Sequence, residues 1–197
     1  MNGVSTNNKL FIPLLLGTNR KGSNSERVAR WLLKEVRKRD DIETQFFSVR
    51  DFKLPHDDYG QAIKDQFPEY RDAIIRCDGL IIVSPEYNHG YPGILKSVLD
   101  VLLKEYFHKV VGLVGVSAGA IGGARAIEAL HQSMRELGLV TIFKDLNFIR
   151  AQNVFDEEGN LKDQAYLERL SSFLEEFVWM ARTLKWGREN IPSKFRQ

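Results

Sequence analysis

The chain has 197 residues, 43% of them hydrophobic, which is enough for one sizeable core and short for two. Its 28 basic and 26 acidic side chains leave a formal charge of +2, a balance that argues for neither a nucleic-acid surface nor an acidic partner. The first apolar run is far too short to span a bilayer and has no basic leader, and one cysteine cannot form an internal disulfide, so a cytoplasmic protein is expected.

Leu10 to Leu16 predicts a strand, although Pro13 lacks a ladder N–H and requires pairing to begin beside it or later. Gly17-Thr18-Asn19-Arg20-Lys21-Gly22-Ser23-Asn24-Ser25 then leads into a helical pattern from Glu26 to Arg39. Hydroxyls, glycine-freed N–H groups, two cations and a helix N-terminus make this loop a candidate phosphate cradle. It matches neither G-x-G-x-x-G nor a Walker A loop, so a monophosphate fits better than a dinucleotide, while N-capping by Ser23 or Ser25 is the plainer alternative. A strand from Glu43 to Ser48 and a helix from Pro68 to Arg76 follow. Between them His56-Asp57-Asp58 reads as solvated charge, and no histidine spacing suggests a metal. Cys77, at the threshold of the next strand, reads as a small core residue.

Gly79 to Ser84 is short, apolar and β-branched, as a strand covered on both faces would be. The loop after it, Pro85-Glu86-Tyr87-Asn88-His89-Gly90-Tyr91-Pro92-Gly93, offers stiff backbone, N–H groups and aromatic faces to a flat ring, and Tyr87, His89 and Tyr91 are candidates to touch a substrate. The helix predicted from Pro92 to Leu103 carries more apolar residues than one stripe needs, which suggests contact with a second copy. Full burial within the monomer is the plainer explanation of this helix by itself, and the family resemblance given below is what favours association.

Lys109 to Ser117 predicts the next strand, and Ser117-Ala118-Gly119-Ala120-Ile121-Gly122-Gly123 a third glycine-rich loop, before a helix from Gly123 to Leu137. Gly115-x-Ser117-x-Gly119 satisfies the nucleophile elbow of α/β-hydrolases. The only later histidine, His131, lies within the helix that this elbow would start, about 15 Å along it, and cannot act as the base. A strand near Val140 to Asp145 and a helix from Asp163 to Leu184 complete the alternation. Residues 1–9 and 188–197 are expected to be loose ends of a single domain covering 1–197. Trp31, Trp179 and Trp186 read as core or subunit packing.

Gly17-Thr18-x-Arg20-x-x-Ser23-x-Ser25, Pro85-Glu86-Tyr87-Asn88 with Leu95-Lys96 and Asp100, and Ser117-x-Gly119-x-x-Gly122-Gly123 together resemble an NADPH-dependent FMN reductase of the flavodoxin-like superfamily, which includes chromate, quinone and azo-dye reductases. Ser97 and Val101 depart from the pattern, since many members have Asn and Trp there. The resemblance implies an α/β, flavodoxin-like, doubly wound five-stranded parallel sheet with helices on both faces. It implies FMN held by Thr18, Arg20, Ser23, Asn24 and Ser25 at the phosphate, by Pro85, Glu86, Tyr87 and Asn88 at the ring edge, and by Ser117 and Gly119 on the pyrimidine side. It further implies NADPH or NADH as co-substrate, a ping-pong cycle to a small-molecule acceptor (a quinone, azo compound, metal oxyanion or free flavin), and a homodimer or homotetramer. An electron shuttle or redox sensor is the alternative. The flavin carries the chemistry, so no catalytic side chain is required.

Overall fold

The computed structural model describes residues 9–56, 58 and 60–195. The strands are β1 (Leu10–Phe11), β2 (Leu14–Leu16), β3 (Ile42–Glu43), β4 (Phe46–Ser48), β5 (Gly79–Pro85), β6 (Lys109–Val116), β7 (Leu139–Thr141) and β8 (Leu146–Phe148). Between and after them run α1 (Asn24–Val36), α2 (Pro68–Arg76), α3 (Gly93–Leu99), α4 (Ala124–Glu136) and α5 (Ala165–Asn190). A six-stranded parallel sheet has the order β4-β2-β5-β6-β7, with β8 also on β6, and β1 pairs with β3 in a separate two-stranded ladder.

The expected count of five strands is corrected by two interruptions with different causes. Pro13 divides the first strand but does not shift it: Leu10 pairs Ile42 and Leu14 pairs Phe46, one register on both sides of the break. Its carbonyl still accepts from Ile81 N–H at 3.0 Å, so only the missing donor is lost. The last strand is divided by an insertion, because Val111 pairs Thr141 but Val114 pairs Leu146, and its second half lies beyond the Val140 to Asp145 span expected from the sequence.

Strand residues alternate between two cores, as the two-residue period of a pleated sheet requires. Leu14, Leu16, Ile81, Val83 and Val114 pack with α1 and α5, whereas Leu15, Leu80, Ile82, Val111 and Leu113 pack with α2, α3 and α4. α5 comes close to the sheet over glycines, since a Cβ on Gly112 would meet Phe173 Cζ at 2.5 Å and one on Gly79 would meet Phe177 Cζ at 2.8 Å. Trp31 is core, while Trp179 and Trp186 stand exposed on α5.

Three further expectations change. α3 ends at Leu99, because the next turn loosens into i→i+3 bonds at Val101 and Leu102. Its apolar surplus is absorbed inside the chain: Leu95, Val98, Leu99, Val101 and Leu102 are all buried, so it gives no reason for a second copy. The C-terminal end is held beyond the expected helix limit of Leu184, with Arg188 on α5 donating to Asp78 Oδ1 at 2.8 Å and to His108 O at 3.0 Å. Residues 1–8 and 196–197 lie outside the described residues.

Candidate cofactor site

The strand order turns back at β2 and β5, so the loops leaving β2, β5 and β6 at their carboxyl ends converge there. They enclose a cleft of about 330 Å³. The first loop contributes Arg20, Ser23, Asn24 and Ser25 with Lys21 and Gly22, the second Pro85, Glu86 and Tyr87, and the third Ser117 and Ala118.

The first loop is shaped by bonds that leave its cations free. Ser23 caps α1 by accepting Glu26 N–H at 3.2 Å, and Thr18 Oγ1 accepts Arg20 N–H at 3.2 Å. Thr18, fully buried, also shares a hydrogen bond of 2.9 Å with Tyr87 OH, tying the first loop to the second. Arg50 supports the loop from behind: its guanidinium donates to Asn19 O at 3.1 Å, to Arg20 O and to Glu26 Oε2 at 2.8 Å. The side chains of Arg20 and Lys21 have no hydrogen bond or ion pair among the described residues. Sequence reasoning missed Arg50. The one signal was Ser48-Val49-Arg50-Asp51, a capping box that marks a turn at the carboxyl end of β4, beside the cradle.

The second loop is a two-residue hairpin. Tyr87 N–H donates to Gly90 O at 2.8 Å, Gly90 N–H returns to Tyr87 O at 3.0 Å, and Asn88 and His89 take φ of 50° and 68°, as a type I′ turn requires at both central positions. Asn88 and His89 therefore form its exposed tip. Of the N–H groups of Glu86 to Asn88, expected to face the ring, that of Glu86 is spent on Val116 O at 3.2 Å and that of Tyr87 on the hairpin, while that of Asn88, and of His89 beside it, has no partner among the described residues. Glu86 pairs through Oε1 with Arg125 at 3.1 Å, and its Oε2 is buried with no hydrogen-bond partner among the described residues. Tyr91 is placed elsewhere: its OH bonds Ser133 on α4 at 2.8 Å and its ring packs on the core, so a substrate contact at Tyr91 is corrected to a brace between two elements.

The third loop is held mainly by backbone, with the Asn147 side-chain amide also donating to Gly122 O at 3.3 Å. Ser117 N–H donates to Phe148 O at 3.2 Å, and Gly119 O and Ser117 O accept from Arg150 and Ala151 N–H, each at 2.9 Å. Gly123 has φ 81°, and a Cβ there would lie 2.6 Å from Val116 N, so only glycine fits this corner. Among the described residues Ser117 Oγ reaches only Gly119 O, at 3.5 Å, while His131 lies 3.9 Å from Glu128 and 4.0 Å from Asp145, so these residues form no triad around the elbow serine. Cys77 is buried against Ile74 O and its thiol is pushed up to about 11, chiefly by burial, as befits a core residue.

A larger groove of about 480 Å³ lies between α1 and the start of α5 and shares no lining residue with this cleft. Three of its four lining cations, Arg27, Arg30 and Lys38, are already committed to Asp156 O, Glu26 and Glu35, which leaves Lys34 as its one cation without a partner among the described residues. A phosphate dianion is better served by the uncommitted Arg20 and Lys21 at a helix N-terminus.

Three strand-to-helix loops at a switch point, with free cations at one end and an unpartnered buried acceptor nearer the other, define an α/β protein built to hold a phosphorylated cofactor with a flat, hydrogen-bonding ring. The model of the NADPH-dependent FMN reductase family matches residues 12–153, and the chain belongs to that family. It is an FMN-dependent NAD(P)H oxidoreductase with a flavodoxin-like fold. Over 177 residues it is 30% identical to a quinone reductase of Pseudomonas putida, covering 83% of this chain and 94% of that protein. An FMN-dependent NADPH-azoreductase of Staphylococcus aureus is 26% identical over 174 residues, covering 84% of this chain and 92% of the other. Among solved structures, the flavoenzyme NAD(P)H:(acceptor) oxidoreductase FerB of Paracoccus denitrificans superposes with a TM-score of 0.71 at 23% identity, over 88% of this chain and 98% of that one, a likeness of fold.

Proposed function

We propose that FMN lies with its phosphate on Thr18 to Ser25, its ring edge on Pro85 to Asn88 and its pyrimidine side at Ser117 and Gly119, and that the protein reduces a small acceptor of quinone type. The observation that carries this reading is the presence, around one cleft, of two uncommitted cations, Arg20 and Lys21, and one uncommitted buried acceptor, Glu86 Oε2. The acceptor class is supported by relatives described as a quinone reductase and, at 27% identity, a 2-hydroxy-1,4-benzoquinone reductase of a Burkholderia species.

When bound, FMN would supply the redox chemistry that links NAD(P)H to the second substrate. The residues bind and orient. Arg20, Lys21 and the α1 N-terminus fix the phosphate, and the Thr18–Tyr87 bond keeps the phosphate loop and the ring ledge in register. The free N–H groups of Asn88 and His89 are the donors left to meet negative charge at the ring edge, and the exposed Tyr87 ring offers a stacking face to nicotinamide or quinone in turn. We further propose that the chain acts as one domain in the cytoplasm and pairs with its own copies as a dimer or tetramer, through the exposed Trp179 and Trp186, which lie one heptad apart on α5. No helix of the described residues is long and apolar enough to cross a membrane.

The test is anaerobic reduction followed by two-substrate kinetics. NADPH bleaches the bound flavin, and NAD(P)H with a quinone gives parallel double-reciprocal lines. Converging lines would require separate sites, and failure of both nucleotides to bleach the flavin would leave an electron shuttle or sensor.

A further inference from the structure

The segment that laces the third loop in place takes a conformation its residue type does not favour. Arg150, just after β8, has φ 44° and ψ 50°. A left-handed arginine gains nothing from the local hydrogen bonding that makes Asn and Asp tolerable there. The bonds that impose this shape come from backbone, Arg150 N–H to Gly119 O and Ala151 N–H to Ser117 O, and an asparagine or glycine would make both. The chain instead places an exposed guanidinium here, with no hydrogen bond or ion pair among the described residues.

The surroundings are amphipathic. Ile121 and Ile149 are 41% and 43% exposed, and Ile149 packs on Gly122, where an added Cβ would lie 3.0 Å from its Cγ2. Arg125, half exposed, reaches from the start of α4 to Glu86 in the ring ledge. This lip is attached to the loop after β6, whereas Arg20 and Lys21 belong to the loop after β2, on the other side of β5. The cations that serve the FMN phosphate are therefore not the ones found here.

We propose that the lip of Arg150, Arg125, Ile121 and Ile149 receives the 2′-phosphorylated adenosine end of NADPH and selects it over NADH, Arg150 meeting the 2′-phosphate and the isoleucines the adenine. A planar guanidinium suits bidentate contact with a phosphate, and the exposed apolar pair suits a flat base. The proposal rests on the FMN reductase reading.

The probe is 2′,5′-ADP, titrated by calorimetry into the FMN-loaded protein beside 5′-AMP, which lacks the 2′-phosphate. Arg150→Asn keeps a residue that tolerates the left-handed turn but removes the charge, and Arg150→Lys keeps the charge. The wild type should bind 2′,5′-ADP about ten-fold or more tightly than 5′-AMP, the scale of one charge-assisted bond. Arg150→Asn should erase that difference and lower kcat/KM for NADPH about ten-fold while NADH stays within about two-fold, and Arg150→Lys should recover part of it. A fall shared by NADPH and NADH, no change in either, or a loss confined to a sulfonated quinone and absent for a neutral one would overturn the assignment. Failure of the reductase reading is distinguishable, because it would appear in the wild type as absent FMN bands or absent bleaching.

Discussion

At the amino ends of β5 and β6 the buried charges are consumed by the protein itself, whereas at the carboxyl ends of the same sheet Arg20 and Lys21 stand without partners among the described residues. Asp78, just before β5, accepts Phe11 N–H at 3.1 Å, Arg188 at 2.8 Å and Lys185 at 3.3 Å. Lys109, the first residue of β6, spends its ammonium on Ile75 O and Glu105 O at 2.9 and 2.8 Å and also on Ile74 O, neutralising carbonyls at the end of α2. The same residue types thus do opposite jobs: satisfied polar groups hold the sheet and α5 together at one end, and unsatisfied ones wait for a ligand at the other. An uncommitted cation in a cleft is the more informative kind, because a buried charge without a partner is costly and an exposed one beside a built loop has another use.

The largest effect expected from this contrast is on stability. The side chains of Asp78 and Arg188 are only 6% and 5% exposed, so Asp78→Ala takes the carboxylate from a buried guanidinium that keeps its bond to His108 O, and removes the partner of the Lys185 ammonium and of Phe11 N–H. Urea unfolding should show a loss of about 3–5 kcal/mol, with FMN affinity of the folded fraction unchanged. A loss below about 1 kcal/mol would mean that the cluster is solvated and the amino edge is not the stabilising end.

The next effect is on the ligand alone. Arg20→Ala removes a side chain that makes no bond among the described residues, so its unfolding curve should match the wild type while FMN titration weakens by about 1.5–3 kcal/mol, the range of a charge-assisted bond. If FMN affinity is unchanged, the phosphate does not sit on this loop.

What the sequence disclosed and what it hid follow the same division. The three loops, their order and the sheet that presents them were legible because each is local: an apolar run, a Gly/Ser/Pro-rich turn and a helical period lie next to one another in the chain. Pro13 could be seen to interrupt a ladder, but not that the register would resume unchanged, since that depends on the partner strand 32 positions away. Arg50 and Arg188 were hidden for a related reason, because they act across 31 and 110 residues of sequence and no local pattern announces their partners. Tyr91 was misplaced because proximity in the chain to Tyr87 suggested a shared face, while the hairpin at Asn88-His89 reverses the backbone between them and delivers Tyr91 to α4.

The smallest effect, and the one that joins brace to ligand loop, is the pH dependence of Glu26. Its carboxylate accepts Arg50 at 2.8 Å and Arg30 at 2.7 Å, and these hydrogen bonds, Arg50 foremost, hold its pKa down at about 2 from an ordinary 4.5. A carboxyl depressed in the folded state stabilises that state above its ordinary value and loses the contribution as the pH falls through the folded one. Glu26→Gln should therefore be less stable than the wild type at pH 7, by under about 1 kcal/mol because water screens the pair, and the gap should close as the pH drops from 4.5 toward 2. Arg50 also carries Asn19 O and Arg20 O, so FMN affinity at pH 7 should weaken slightly in the same variant through a loosened phosphate loop. A stability gap that stays constant across that pH window would show that the glutamate contributes by packing, and that the phosphate loop is held by Arg50 without help from its charge partner.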